Sequence, residues 1–282
     1  MENRFNYKIV ADSSADLPAL AEVNYAQVPL LIRAGQNEYL DDETLDVHAM
    51  VEDLRQYKGR STTACPGIGD WLAAFDGADA VFAVSITSAL SGGYNAAVAA
   101  GETYCQEHSG ACVHVLDSRS TGPEMRLLVE KLREYVLAAE PPERIWQKIQ
   151  RYARHTHLLF SLESLTNLAG NGRVHPAVAA AVGILGIRIV GCASEKGELH
   201  PLAKCRGESK ALAELLRQME RMGYRGGKVR IDHCENEPAA LLIRHALLKQ
   251  GYHDVEIHRC RGLCSYYAEK GGILIGFEDG GV

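Results

Sequence analysis

The feature that most constrains the fold is an alternation of short apolar runs with amphipathic helical patterns along the first half of the chain. Strands buried on both faces are rich in Val, Ile and Leu, and parallel strands need a crossover, usually a helix, between them. The predicted strands span 7–11, 28–33, 80–86 and 112–116. The predicted helices span 46–57, 67–75, 92–107, 122–139 and 143–153, and a further one starts at Asp16 with Pro18 in its first turn. The pattern predicts a layered α/β sheet with helices on its faces.

Pro141-Pro142 interrupts the chain before the last predicted helix of the first half, and the second half has a different pattern. A strand at 158–162 leads to a short helix, a glycine-rich turn and a nearly all-apolar segment at 176–185. Glu195-Lys196-Gly197 predicts a hairpin between strands at 187–194 and 198–204. The remaining predicted elements are helices at 208–222 and 237–250 and strands at 228–233, 255–260 and 272–277. We therefore predict two α/β domains, residues 1–155 and 156–282.

Four clusters of hydroxyls and small residues lie where apolar runs stop, and three of them directly follow predicted strands. They are Asp12-Ser13-Ser14, Ser61-Thr62-Thr63, the segment 88–93 and the segment 117–122. Because the carboxyl ends of parallel strands form the ligand crevice of an open sheet, we expect these loops to meet at one edge. Hydroxyls and free N–H groups at helix starts are donors suited to an oxyanion. The clusters indicate a site for a carboxylate or phosphate, held without a metal.

Composition excludes several classes of protein. With 46% hydrophobic residues and 23% charged residues the chain is typical of a globular protein, and its formal charge of -6 gives no electrostatic footprint for nucleic acid. No apolar signal segment opens the chain and no stretch approaches a membrane span, so we expect a cytoplasmic protein without stable membrane insertion. The eight cysteines contain no C-x-x-C pair and are expected to be reduced. His155 and His157 share a strand face but have no third ligand, so no metal site is predicted.

An ordered set of short motifs spans essentially the whole chain. The set comprises Lys8 to Pro18, Val28-Pro29-Leu30, Thr62-Thr63-Ala64-Cys65-Pro66, Leu90-Ser91-Gly92-Gly93-Tyr94, Leu116-Asp117-Ser118, Gly170-Asn171-Gly172-Arg173-Val174 and Gly272 to Phe277. In this order the motifs resemble those of the DegV family, fatty-acid-binding proteins that serve as binding subunits of bacterial fatty acid kinase. The chain departs from the family at Cys65, where Gln is usual, at Gly93, where Thr is usual, and at Tyr267, where a His lies near the headgroup.

The resemblance implies a two-domain architecture with one long-chain fatty acid buried between the domains and no other cofactor. Its carboxylate is then bound by Thr63 and Ser91 with Arg173 nearby, and the predicted carboxylate-binding set is Thr62, Thr63, Ser91, Gly92, Arg173 and Tyr267. Asp12, Ser13, Ser14 and Ser118 are expected to support the headgroup loops. Val178, Val182 and Leu185, in the apolar segment after Arg173, are expected to line the tunnel for the acyl chain.

The same resemblance implies that this chain is a carrier and no enzyme, because a separate ATP-dependent kinase phosphorylates the carboxyl group. Plainer explanations exist for single motifs, since Asp and Ser are common helix caps and Ser-Gly-Gly is a common turn. The alternative function is an acyl hydrolase or a phosphotransferase that uses the same hydroxyls. Against it, the sequence around Ser91 is no Gly-x-Ser-x-Gly elbow, and no Gly-x-x-x-x-Gly-Lys phosphate loop is present.

Overall fold

The computed structural model describes residues 5–175 and 186–281, and the predicted tunnel residues Val178, Val182 and Leu185 lie outside these ranges. The strands are β1 (Tyr7–Asp12), β2 (Tyr25–Val28), β3 (Leu31–Ala34), β4 (Asn37–Leu40), β5 (Ser61–Ala64), β6 (Ala80–Ser85), β7 (Cys112–Asp117), β8 (Thr156–Leu162), β9 (Ile187–Ala193), β10 (Leu199–Arg206), β11 (Val229–His233), β12 (Val255–Arg259) and β13 (Ile273–Glu278). The helices are α1 (Val47–Gln56), α2 (Ile68–Phe75), α3 (Gly93–Glu107), α4 (Gly122–Leu137), α5 (Pro142–Tyr152), α6 (Thr166–Gly170), α7 (Glu208–Arg221), α8 (Glu237–Lys249) and α9 (Gly262–Ala268).

The first half forms a parallel sheet in the order β2-β1-β6-β7. Every residue of β6 is buried, as expected for a strand that is covered on both faces. Helices α2 and α3 cover one face through a core that includes Trp71, Phe75 and Ala97. Helices α4 and α5 cover the other face, where Leu128 and Ile145 pack. The prediction of a layered α/β architecture is confirmed.

The second half forms a sheet in the order β10-β9-β8-β13-β11-β12, in which β11 and β12 are parallel and the other neighbours are antiparallel. The predicted hairpin is confirmed, because β9 and β10 pair antiparallel and the N–H of Ser194 donates to the Glu198 carbonyl at 2.8 Å. Helices α7 and α8 cover one face of this sheet, and α4 contacts β8, β11 and β13 on the other. Helix α4 therefore lies between the two large sheets.

A third, three-stranded antiparallel sheet has the order β4-β3-β5. It belongs to the first half of the sequence, yet Ile32 of β3 and Met50 of α1 share a core with Leu158, Phe160 and Leu274 of the second half. This sheet therefore packs on the second half of the chain. The boundary near residue 155 stays a prediction.

Two predicted elements are wrong. The predicted strand at 28–33 is two strands in different sheets, because Pro29 has no N–H for a ladder and the N–H of Leu30 donates to Ser13 Oγ at 3.0 Å. The predicted helix at Asp16 is a 3-10 turn over Ser13–Ala15, followed by irregular chain. Asp16 ends this turn in the left-handed region with φ 53°, and a residue before a proline, here Leu17, disfavours helix.

Among the residues that the structure describes, none of the helices combines the length and the apolar composition of a bilayer-spanning segment.

Candidate functional site

A cavity of about 300 Å³ opens between the carboxyl ends of the parallel sheet and the α4-facing side of the mixed sheet. Leu158, Phe160 and Leu162 alternate along β8, so they share one face, and all three line the cavity. Leu274 of β13, which pairs with Phe160, extends this apolar surface of the cavity. The first half contributes the other apolar wall through residues that include Leu30, Ile86 and Leu90. The cavity is therefore built by both halves of the chain and is mainly apolar.

Polar side chains also line the cavity. Thr63 of β5, Ser91 before α3, Arg173 after α6 and Tyr267 of α9 all line the cavity, although they lie up to 204 residues apart. The hydroxyls of Thr63 and Tyr267 are hydrogen-bonded at 2.8 Å. Burial raises the pKa of the Tyr267 hydroxyl, and the nearby Arg173 charge opposes that shift. The tertiary structure thus brings three hydroxyls and one guanidinium to one cavity.

The positions of Ser91 and Arg173 are fixed by the backbone. The N–H of Gly93 donates to Ser91 Oγ at 3.3 Å, so Ser91 lies at the start of α3, with Gly92 as the N-cap residue. Arg173 donates from Nε to the Leu90 carbonyl at 3.2 Å and from Nη1 to the Asn171 carbonyl. The guanidinium therefore links the glycine-rich turn of the second half to the Ser91 loop of the first.

Tyr266 and Asn171 also connect these loops, and sequence reasoning assigned a role to neither. The amide of Asn171 donates to Tyr266 Oη at 2.8 Å, and Tyr266 Oη is 2.7 Å from Ser61 Oγ. Asn171 lies in the Gly-Asn-Gly-Arg motif together with Arg173, and this position in the sequence could have identified it as a site residue. Because this network joins β5, α9 and the glycine-rich turn, it holds Thr63, Tyr267 and Arg173 in fixed relation.

Asp12, Ser13 and Ser14 lie behind the cavity wall and are fully buried. Asp12 accepts from the N–H of Ser14 at 3.1 Å and from the N–H of Ile86 at 2.7 Å, and burial raises the pKa of its carboxyl. Ser13 Oγ accepts from the N–H of Leu30. These bonds fix the loops that carry Leu30 and Ile86 into the cavity lining.

Thr62 and Ser118 are two further predicted residues that do not line the cavity. Consecutive strand residues point to opposite faces, so Thr62 is exposed while Thr63 faces the cavity. Ser118 Oγ donates to the Ser120 carbonyl at 3.1 Å within its own loop. Two other threonines line the cavity: Thr121, which belongs to the predicted hydroxyl cluster at 117–122, and Thr87, which was not predicted.

The described residues offer neither a three-ligand metal cluster nor a histidine base for Ser91 in the cavity. In residues 5–175 and 186–281 no group of three or more His, Cys, Asp and Glu side chains could hold a metal ion. His155 and His157 both contact Asp279 at 3.0 Å, away from the cavity. The described lining of the cavity contains Ser91 but no histidine that could act as its base.

The chain is similar to known proteins over nearly its whole length. The model of the DegV family matches residues 6–278. A DegV domain-containing protein of Streptococcus gordonii is 38% identical over 280 residues, which cover 97% of this chain and 99% of the relative.

Two solved structures are also similar over nearly the whole chain. A DegV family protein from Eubacterium eligens, loaded with heptadecanoic acid, has a TM-score of 0.94 and 45% identity, covering 97% of this chain and 99% of its own. The Streptococcus pneumoniae Fatty Acid Kinase (Fak) B3 protein, loaded with linoleic acid, has a TM-score of 0.95 and 37% identity with the same coverage. From the family match and these relatives together, the chain belongs to the DegV family.

Proposed function

We propose that this protein binds one long-chain fatty acid in the cavity between its two halves. The observation that carries the proposal is the cavity itself, whose wall is apolar and whose polar residues include Thr63, Ser91, Arg173 and Tyr267. The fatty acids in the Eubacterium eligens and Streptococcus pneumoniae structures support the same ligand class.

Physical chemistry assigns different tasks to the two ends of this ligand. Burying about 15 methylenes at about 0.8 kcal/mol each gives roughly 12 kcal/mol before entropy costs, so the acyl chain supplies the affinity. An isolated carboxylate in such a site is costly unless it is hydrogen-bonded or paired with a cation. Ser91 supplies one O–H donor, the mutually bonded hydroxyls of Thr63 and Tyr267 leave one further O–H free, and Arg173 supplies the positive charge.

We further propose that the bound acid is presented to a separate ATP-dependent kinase. In that step a carboxylate oxygen forms a bond to the γ-phosphorus of ATP, the bond from that phosphorus to the β-phosphate oxygen breaks, and ADP leaves. The Streptococcus pneumoniae protein that this chain resembles is named as part of a fatty acid kinase, which supports the assignment. In this role the protein works in the cytoplasm, where ATP is available and the eight free thiols remain reduced.

Native mass spectrometry of freshly purified protein tests fatty-acid binding. We expect one long-chain acid per chain, retained less well by the Ser91→Ala and Thr63→Ala variants, since each loses a hydroxyl donor. The control is Thr103→Ala, which removes a hydroxyl that bonds to the Ala99 carbonyl within α3. A protein that stays empty after incubation with fatty acids contradicts the proposal.

The kinase step is tested by incubating loaded protein and ATP with and without a bacterial fatty acid kinase. Acyl phosphate is expected only when the kinase is present. Formation of acyl phosphate by this chain alone, or hydrolysis of acyl esters by it, would instead support the enzyme alternative.

A further inference from the structure

Helix α9 forms one wall of the fatty-acid cavity. Leu263, Cys264, Tyr267 and Ala268 all line it, so four of the seven residues of this helix face the ligand space. The position of Tyr267 therefore depends on how the whole helix is held.

The start of α9 is held by two carboxylates from the other half of the chain. Asp41 accepts from the N–H of Gly262 at 2.7 Å through Oδ1 and from the N–H of Leu263 at 2.8 Å through Oδ2. Asp16 Oδ1 accepts from the N–H of Arg261 at 2.9 Å. Both carboxylates are only 1% exposed. Three successive N–H groups, which have no partner inside the helix, are thus satisfied by side chains more than 200 residues away.

The contact between Asp41 and α9 leaves no spare room. A Cβ at Gly262 would lie 2.6 Å from Asp41 Cγ and 2.7 Å from Leu45 Cδ2, so only glycine allows this approach. Asp41 is also fixed on its own side, because its N–H donates to the Leu30 carbonyl at 2.9 Å. The carboxylate and the helix start therefore fit each other at a fixed distance.

The far end of α9 is fastened to the same three-stranded sheet. Asp41 directly follows β4, while Ser61 and Thr63 belong to β5 of that sheet. Ser61 bonds to Tyr266 at 2.7 Å and Thr63 to Tyr267 at 2.8 Å. Without the bonds from Asp41 and Asp16 to its start, α9 would be free to shift relative to β5. The hydroxyls of Thr63 and Tyr267 would then separate.

We propose that Asp41, with Asp16, is a positioning residue for the ligand headgroup: it sets fatty-acid affinity by holding α9 where Tyr267 meets Thr63. This inference rests on the fatty-acid binding proposed above. Neither carboxylate lines the cavity, so their effect on the ligand is transmitted through the helix.

The test compares the affinities of purified variants for a long-chain acid and for its methyl ester. In Asp41→Asn one acceptor oxygen becomes an NH₂ that faces a backbone N–H, and in Gly262→Ala the new methyl group displaces the carboxylate. We expect each variant to bind the acid about tenfold more weakly, an effect comparable in free energy to the loss of a helix cap. Binding of the ester should change little. In a Tyr267→Phe background Asp41→Asn is expected to have no further effect.

Asp46→Asn is the matched control, because Asp46 caps α1 through the N–H of Ala49 at 3.0 Å and lines no part of this cavity. It should leave affinity for the acid unchanged. Circular dichroism establishes that each variant is folded, and Gly262→Ala probes the same contact if Asp41→Asn does not fold. Unchanged acid affinity in a folded variant, or equal losses for acid and ester, overturns the inference. A wild-type protein that binds neither ligand refutes the proposed function itself.

Discussion

At the scale of single residues, strand register decides which hydroxyls reach the cavity. Thr62 and Thr63 are identical side chains at neighbouring positions, but the alternation of β5 exposes the first and turns the second to the cavity. Asp12 was predicted to support the headgroup loops, and its carboxyl group lies behind the wall, bonded to Ser14 and Ile86. The hydroxyl-rich motifs predict which loops form the candidate site, whereas strand register determines which of their side chains face the cavity.

Glu124 gives a prediction about pH at this scale. It lies in the first turn of α4, 5% exposed, accepts from Thr156 Oγ1 at 3.0 Å, and burial raises the pKa of its carboxyl from 4.5 to about 7. Between about pH 4.5 and pH 7 the folded state binds more protons than the unfolded state, so the free energy of unfolding falls as pH rises. Glu124→Gln should remove this slope, worth up to about 3 kcal/mol, and stabilise the protein at pH 8.

Urea unfolding at pH 5 and pH 8 measures this difference. Glu107→Gln, on the exposed side of α3, serves as the surface control. A slope that persists undiminished in Glu124→Gln would show that Glu124 is not its source.

At the scale of elements, strongly periodic segments were predicted well and short irregular ones poorly. The helices α1, α3, α7 and α8 lie within a few residues of their predicted ranges. The three-stranded sheet and α9 were not predicted, because strands of four residues and a helix of seven carry too little periodicity. Both are stabilised by long-range contacts such as those of Asp41 with Gly262 and Leu263.

The β9–β10 hairpin allows a prediction about ligand exchange. Its tip bonds to the first half through Thr87 Oγ1 and the Gly197 carbonyl at 2.9 Å, and Leu199 beside it lines the cavity. Gly197 has φ +79°, and a Cβ there would overlap Thr87 Oγ1. Gly197→Ala should therefore lift the hairpin from Thr87 and accelerate fatty-acid release several-fold, at a cost of about 1–2 kcal/mol in stability.

Stopped-flow displacement of a fluorescent fatty acid measures the release rate. Gly77→Ala is the matched control, because Gly77 has φ +77° and nothing within 4 Å of its Cβ position, so it introduces backbone strain without the clash. Equal release rates in the two variants would argue against a role for the hairpin contact.

At the scale of the whole molecule, two large sheets share helix α4 and enclose a cavity between them. Residues of both halves form its wall, and Arg173 bonds to Leu90 across it. A ligand in that position contacts both halves at once, so its binding energy adds to the stability of their association.

Fatty acid should accordingly stabilise the entire chain in a single cooperative transition. At a free ligand concentration 100 times Kd the gain is about 2.7 kcal/mol, which corresponds to several degrees in Tm. Calorimetry of delipidated protein with and without a long-chain acid measures it, and a short-chain acid with the same headgroup is the control. An unchanged Tm at saturating ligand, or separate transitions of the two halves, contradicts this expectation.

The sequence by itself determined the α/β class, most helices, the longer strands and the residue types of the candidate site, because these depend on local periodicity and composition. Only the tertiary structure decided which sheet each short strand joined, that α4 lies between two sheets, and that Thr63 meets Tyr267 while Thr62 faces away. The reason is physical: strand partners, register and helix caps such as Asp41 arise from contacts between residues far apart in sequence, which no local pattern encodes.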